Sequence, residues 1–259
     1  MTWRMRVHTS GGRRWRLLAL SAGSLALLTA ATPVVSQAAV PGKPAVVETR
    51  VIGHSVKGRA IVAYRLGQPT STRKAVIMAG MHGDEPGPSR ILVNLIDGRA
   101  IKGADIWVVP VYNPDGRARN TRQNAHGVDL NRNWPFHWVH LGGGTYSGSS
   151  AASEPETRAM MAFLNQVRPA YVVSFHQPLH GVGRAGAKGR PLVRRLHRQL
   201  HLPTKAFNCD GVCHGTMTEW YNRYFRGVAV TVEYGHGLSR RQANTTGPTG
   251  LLRAVGARR

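Results

Sequence analysis

Two loops and two strand ends carry side chains of the kinds that grip a metal ion or move a proton. The stretch Met81-His82-Gly83-Asp84-Glu85-Pro86-Gly87 offers an imidazole and a carboxylate three residues apart. With 12 His and 12 acidic residues in 259 positions, roughly half of one such match arises by chance, and a second one, His126 to Asp129, is present. Spacing alone therefore decides nothing; context does more. A hydrolytic zinc takes three protein donors at about 2 Å and keeps a position for water. His82 and Glu85 would supply two from one Gly-bracketed loop, and His176, at the end of another apolar run, is the candidate third. Taken alone, without the other motifs, His176 reads rather as a hydrogen-bonded, semi-buried histidine. Glu233 follows the apolar run Val228-Ala229-Val230-Thr231-Val232, where burying a carboxylate without purpose is costly. It is either a general base beside a metal or the partner of a buried Arg.

The elements around these residues are legible from periodicity. Residues 46–52 and 60–66 read as a hairpin at a sheet edge. Ala75–Ala79, Ile106–Tyr112, Tyr171–Phe175 and Val228–Tyr234 are short apolar runs of buried strands. Helices are expected over Arg90–Ile96, Ser153–Val167 with a Ser153/Glu156 capping box, Pro191–Leu200, Gly215–Tyr224 and Gly250–Arg259. Asn113-Pro114-Asp115-Gly116 predicts a turn, and residues 117–152 a long loop, which in a compact domain is usually functional. Strands alternating with helices predict a single α/β domain: a mixed, mostly parallel β-sheet with helices on both faces. In such sheets the site lies at the carboxyl ends of the strands, where His82, Asn113, His176 and Glu233 fall.

Composition sets the surroundings. Met1–Arg16 holds five Arg and no acid, Leu17–Ala30 is apolar, and Ser36-Gln37-Ala38-Ala39 is small enough for a signal peptidase. This is the pattern of an export signal over residues 1–39, leaving a domain over 40–259. The apolar run of 14 residues is short for a membrane span, so none is expected once the signal is removed; an uncleaved anchor is the alternative. The net charge of +23 falls by those five Arg to +18. Such a field draws anions. The basic residues are scattered without interleaved aromatics, which speaks against nucleic acid, so anionic envelope polymers and acidic peptides are the expected partners. Cys209 and Cys213 flank a potential tight turn and are either a small-loop disulfide or two thiols.

Taken together, His82-Gly83-Asp84-Glu85, Asn113-Pro114-Asp115-Gly116, Arg122, Gly127-Val128-Asp129-Leu130-Asn131-Arg132-Asn133, Ser174-Phe175-His176 and Thr231-Val232-Glu233 resemble the zinc carboxypeptidase family, in its order, over roughly residues 46–236. The variants Arg122-Gln123-Asn124-Ala125-His126-Gly127 and His176-Gln177-Pro178-Leu179 are most similar to its murein peptide amidase branch. The resemblance implies one Zn2+ per chain on His82, Glu85 and His176. It implies Glu233 as the base, Arg122 beside the oxyanion, Asn131 and Arg132 on a substrate carboxylate, and Asp129 behind a metal-bound histidine. Residues 208–214 lack the tyrosine that digestive members carry there, so side-chain selectivity stays open. The implied activity is hydrolysis of an amide bond in a small acidic peptide, the γ-D-glutamyl–diaminopimelate bond of murein. A general carboxypeptidase, a small-molecule deacylase of the aspartoacylase type and a non-catalytic wall-binding protein are the alternatives.

Overall fold

The structure, a computed structural model, describes residues 45–207 and 211–259. The expected export signal and Cys209 lie outside the described residues; Cys213 is disulfide-bonded. In chain order the elements are β1 (Val46–His54), β2 (Ala60–Gly67), β3 (Lys74–Met78), α1 (Ser89–Ile96), β4 (Asp105–Val109), α2 (Pro114–Arg119), α3 (Pro155–Val167), β5 (Tyr171–His176), β6 (Gly181–Gly183), α4 (Gly186–Leu200), β7 (Thr204–Lys205), α5 (Met217–Tyr224), β8 (Val228–Glu233) and α6 (Gly247–Val255). They build one eight-stranded sheet in the order β1-β2-β4-β3-β5-β8-β6-β7. The four central strands β4, β3, β5 and β8 run parallel, and the β1–β2 hairpin closes one edge antiparallel to β4. The mixed, mostly parallel sheet is the one the alternation of apolar runs and helices predicts.

Both faces of the central strands are covered, which is why those strands read as unbroken apolar runs rather than alternating ones. On one face Ile77, Val173 and Val230 lie in a core with Leu92 of α1, Leu196 of α4 and Leu252 of α6. On the other, Val76, Val172 and Ala229 meet Met160 and Phe163 of α3 and Trp220 and Tyr221 of α5. Period-2 alternation along each strand thus splits one sequence into two cores. No helix among the described residues is long and apolar enough to cross a membrane.

Four local expectations are corrected. The Ser153/Glu156 capping box does not form: the N-cap of α3 is Glu154, with no side-chain cap. Glu156 is instead fully buried and accepts from the Val56 amide and from Asn124 Nδ2, so tertiary partners outbid a local one. Asn113–Gly116 opens the short helix α2, with Asn113 Oδ1 accepting the Gly116 N–H as its cap. Helix α4 begins at Gly186, before Pro191; Gly189 sits where a Cβ would meet Ala185 and Val228, a close helix–strand approach. The last helix ends at Val255, four residues short of the predicted end. Strands β6 and β7, of three and two residues, are too short to leave a periodic trace.

Candidate metal centre and cleft

The loop after β3 is held from three sides. Ala79 N–H donates to Val109 O, Asn113 N–H to Gly80 O, and Gly83 N–H to Thr121 O; Asn113 Nδ2 reaches Met81 O. At Gly83 the loop backbone touches α2 so closely that a Cβ would sit 1.9 Å from the Gly116 carbonyl carbon. This brace fixes where His82 and Glu85 point. β5 carries its apolar run straight to His176 at its end.

The three side chains converge. His82 Nδ1 lies 2.7 Å from Glu85 Oε1, His176 Nδ1 3.0 Å from Glu85 Oε2, and the two Nδ1 atoms 3.3 Å from each other. All are nearly sealed from solvent, at 3%, 7% and 1% exposure for His82, Glu85 and His176. Each ring is held from behind. His82 Nε2 is 3.0 Å from Asp129 Oδ1, and His176 Nε2 is 2.9 Å from Ser174 Oγ. Donation of Nε2–H outward would leave each Nδ1 lone pair for the shared centre, the tautomer a metal requires once the rings have lost their extra proton. Two imidazole nitrogens and a carboxylate, with donor atoms within 4.8 Å of one another, form a zinc donor set of the open, hydrolytic type. Among the described residues it is the one such cluster.

The electrostatics agree. Burial alone would push the His82 pKa down, but the carboxylates of Asp129 and Glu85 outweigh it and raise it to about 9. Burial pushes Glu85 up, and the His82 and His176 rings more than reverse this, holding it far below the usual carboxylate range. Asp129 behaves likewise, with burial overcome by His82, Arg122 and Arg132. The cluster is a set of buried charges that exist only because they face one another.

Glu233 stands at the end of β8, in register with His176 at the end of the neighbouring parallel strand. Its Oε2 accepts the Leu179 N–H at 3.3 Å, and its Oε1 accepts nothing from the described residues. Burial raises its pKa; the His176 ring pulls the other way, and the charge of Glu85 adds to the rise. No buried Arg pairs with it, so the ion-pair reading of Glu233 is set aside among the described residues. Arg122 gives Nε and Nη2 to Asp129 Oδ2 at 3.0 and 2.8 Å, leaving Nη1 turned toward His82 Nδ1 and Glu85 Oε1 at 3.3 and 3.6 Å.

Arg132 is 6% exposed. Its Nη1 donates to Asn131 O, while Nη2 has no partner among the described residues. Asn131 Oδ1 accepts the Met217 N–H at the start of α5, so only its amide nitrogen remains for a ligand. All seven side chains that the sequence singled out for metal, base, oxyanion and anchor line one cavity of about 460 Å³.

Three further residues of this cavity carried no role in the sequence reading. Gln177 ties the three strand ends together: its Oε1 accepts the Gly87 N–H, and its Nε2 donates to the carbonyls of Gly235 and His236. Its backbone N–H reaches Glu85 Oε2. Glu219 and Arg184 line the cavity as well. A Thr216-x-x-Glu219 spacing marks Glu219 as a capping residue, and Thr216 Oγ1 does accept its N–H; nothing in the sequence marks it as part of a cavity.

Comparison with known proteins places the chain. The zinc carboxypeptidase family model matches residues 36–179. Murein peptide amidase A of Escherichia coli K12 is 35% identical over 146 residues, 51% of this chain and 60% of that protein; the match thus spans about three-fifths of the relative. Murein peptide amidase A of Vibrio campbellii is 30% identical over 184 residues, 66% of this chain and 73% of that one. The crystal structure of murein-tripeptide amidase MpaA from Escherichia coli O157 superposes with a TM-score of 0.66 at 25% identity, covering 86% of this chain and 96% of that one. A family match over more than half the chain, and a strand-end His/Glu/His cluster inside it, lead to one conclusion: this chain belongs to the zinc carboxypeptidase family.

Proposed function

We propose that the protein is an exported zinc hydrolase that cuts an amide bond in small acidic peptides, with the γ-D-glutamyl–diaminopimelate bond of murein peptides as its substrate. One observation carries the reading. A His/Glu/His donor set, a buried carboxylate with a free oxygen and a buried guanidinium with a free Nη2 open onto a single cavity. The similarity to murein peptide amidases supports the substrate class.

His82, Glu85 and His176 hold the zinc. Bound there, the ion supplies a Lewis acid that polarises a carbonyl and lowers the pKa of water. Glu233 takes the proton from the attacking water and hands it to the departing amine, with its Oε1 left free to accept. Arg122, braced by Asp129, offers Nη1 to the negative charge that develops on the carbonyl oxygen. Arg132 grips a substrate carboxylate with Nη2, assisted by the Asn131 amide nitrogen. Residues 1–39 direct export, and the basic surface keeps the enzyme near an anionic envelope.

The test incubates the mature protein with murein tripeptide, with and without a chelator, and identifies products by mass. Chelator-sensitive release of free diaminopimelate is expected. Cleavage of a blocked L-dipeptide alone would make the protein a general carboxypeptidase. Absence of bound zinc, or unchanged turnover in Glu233→Gln, would end the mechanism.

A further inference from the structure

The cavity continues well past Glu233. Side chains alternate along β8, so Glu233, Thr231 and Ala229 share the face that lines it; at about 3.3 Å per residue this wall runs about 13 Å from the base. Away from the metal the lining changes character. Helix α5 contributes Thr218, Glu219 and Asn222, and Arg184 stands between β6 and α4. Asn222 is wall only: its amide is consumed by Ala229, donating to its carbonyl and accepting its N–H at 2.8 Å each. Glu219 differs. Thr216 Oγ1 donates to its Oε2 at 2.9 Å, and Oε1 receives no hydrogen bond from the described residues. The Arg184 guanidinium is exposed and makes no hydrogen bond or ion pair with them. Glu219 and Arg184 also line one adjoining depression, so they are neighbours that do not neutralise each other within ion-pair distance.

A pocket end with a free carboxylate oxygen and a free guanidinium is half satisfied by any singly charged side chain. A side chain ending in an ammonium and a carboxylate on one carbon satisfies both, each through a charge-assisted hydrogen bond. We propose that Glu219 and Arg184 are the specificity pair that reads a zwitterionic amino-acid head at the far end of the departing residue's side chain. Glu219 takes the ammonium and Arg184 the carboxylate. This rests on the hydrolase reading above and adds to it. The residue released carries one carboxylate for Arg132 and a second, with its amine, for this pair, and simple aliphatic residues are selected against because they leave the half-buried Glu219 oxygen without a donor.

The test uses two readouts on the zinc-loaded protein, wild type beside Glu219→Gln and Arg184→Met. The first is calorimetric binding of free meso-diaminopimelate, L-lysine and L-norleucine. The second is kcat/KM on γ-D-glutamyl peptides ending in the same three residues. The wild type is expected to favour diaminopimelate over norleucine in both. Glu219→Gln should reduce the diaminopimelate-to-norleucine ratio by about 10- to 100-fold, the usual worth of one hydrogen bond to a charge. Arg184→Met should reduce the diaminopimelate-to-lysine ratio, and Glu219→Asp should retain part of the wild-type ratio. Losses that fall equally on all three ligands, with the ratios moved less than twofold, overturn the proposal, as does a wild type that binds norleucine as well as diaminopimelate. Glu219-dependent binding without cleavage of any murein peptide would uphold the pair and refute the hydrolase reading; cleavage with unmoved ratios would do the reverse.

Discussion

Asp129 accepts four N–H groups at once: His82 Nε2 and the Asn131 amide on Oδ1, and Arg122 Nε and Nη2 on Oδ2. Asp129→Asn keeps the shape and removes the charge. An amide has one acceptor end, so if its oxygen stays on His82 its NH2 is driven against the Arg122 donors. The proposed metal ligand His82 loses its charged brace, and such losses weaken metal binding about 10- to 100-fold, or roughly 1.4–2.7 kcal/mol. A second effect has the opposite sign. In the metal-free protein Asp129 helps hold His82 protonated up to about pH 9. A proton on His82 must leave before zinc binds, so wild-type affinity should rise about tenfold per pH unit and level off above 9. The variant lowers that pKa and meets less competition. Zinc affinity measured by chelator-buffered titration should therefore show the full deficit above pH 9 and a shrinking deficit toward pH 7. Equal affinities above pH 9, or a gap that widens as pH falls, would refute the reasoning.

Three further outcomes are expected. Glu233→Gln should cut kcat by about 10²- to 10⁴-fold with the zinc content of purified protein unchanged and no loss of Tm, since a buried carboxylate is already costly. Gly83→Ala should lower stability by about 1–3 kcal/mol and weaken zinc binding together, because its Cβ meets backbone of α2 that no rotamer change can move; urea unfolding with metal analysis reads both. In chelated protein the His82 pKa is raised above its unfolded value, so its contribution, about 3 kcal/mol at most, is fully present below about pH 6.5 and lost as pH rises through about 9. Urea midpoints should fall across that window in the metal-free protein and stay flat in the zinc-loaded one.

What the sequence made legible is what chemistry forces into short strings. A catalytic zinc needs particular donors, and a Gly-bracketed loop after an apolar strand exposes them, so His82, Glu85 and His176 could be paired across 94 positions. Glu233 stood out because a carboxylate at the end of a largely apolar run is expensive. The central strands were visible because burial on both faces leaves unbroken apolar runs. What stayed hidden depended on partners distant in the chain. Glu156 looked like a capping residue and is held by Val56 and Asn124. Glu219 looks like a cap, forms one, and still offers a free oxygen to the cavity. Gln177 carries no pattern, because its value lies in three backbone groups that meet only in the fold.

The register of β5 against β8 has a consequence for how this scaffold can change. His176 and Glu233 are direct partners on neighbouring strands, so the backbone gap between the proposed metal donor and the proposed base is one inter-strand step of about 4.8 Å. Side-chain replacement cannot stretch that interval; only slippage of a largely buried ladder could. The proposed selectivity pair sits elsewhere, Glu219 on α5 and Arg184 just past β6, where the pairing with β7 and β8 spans only two residues each. On this proposal reactivity and choice of substrate are mounted on separate elements, and a change in the second leaves the β5–β8 register untouched.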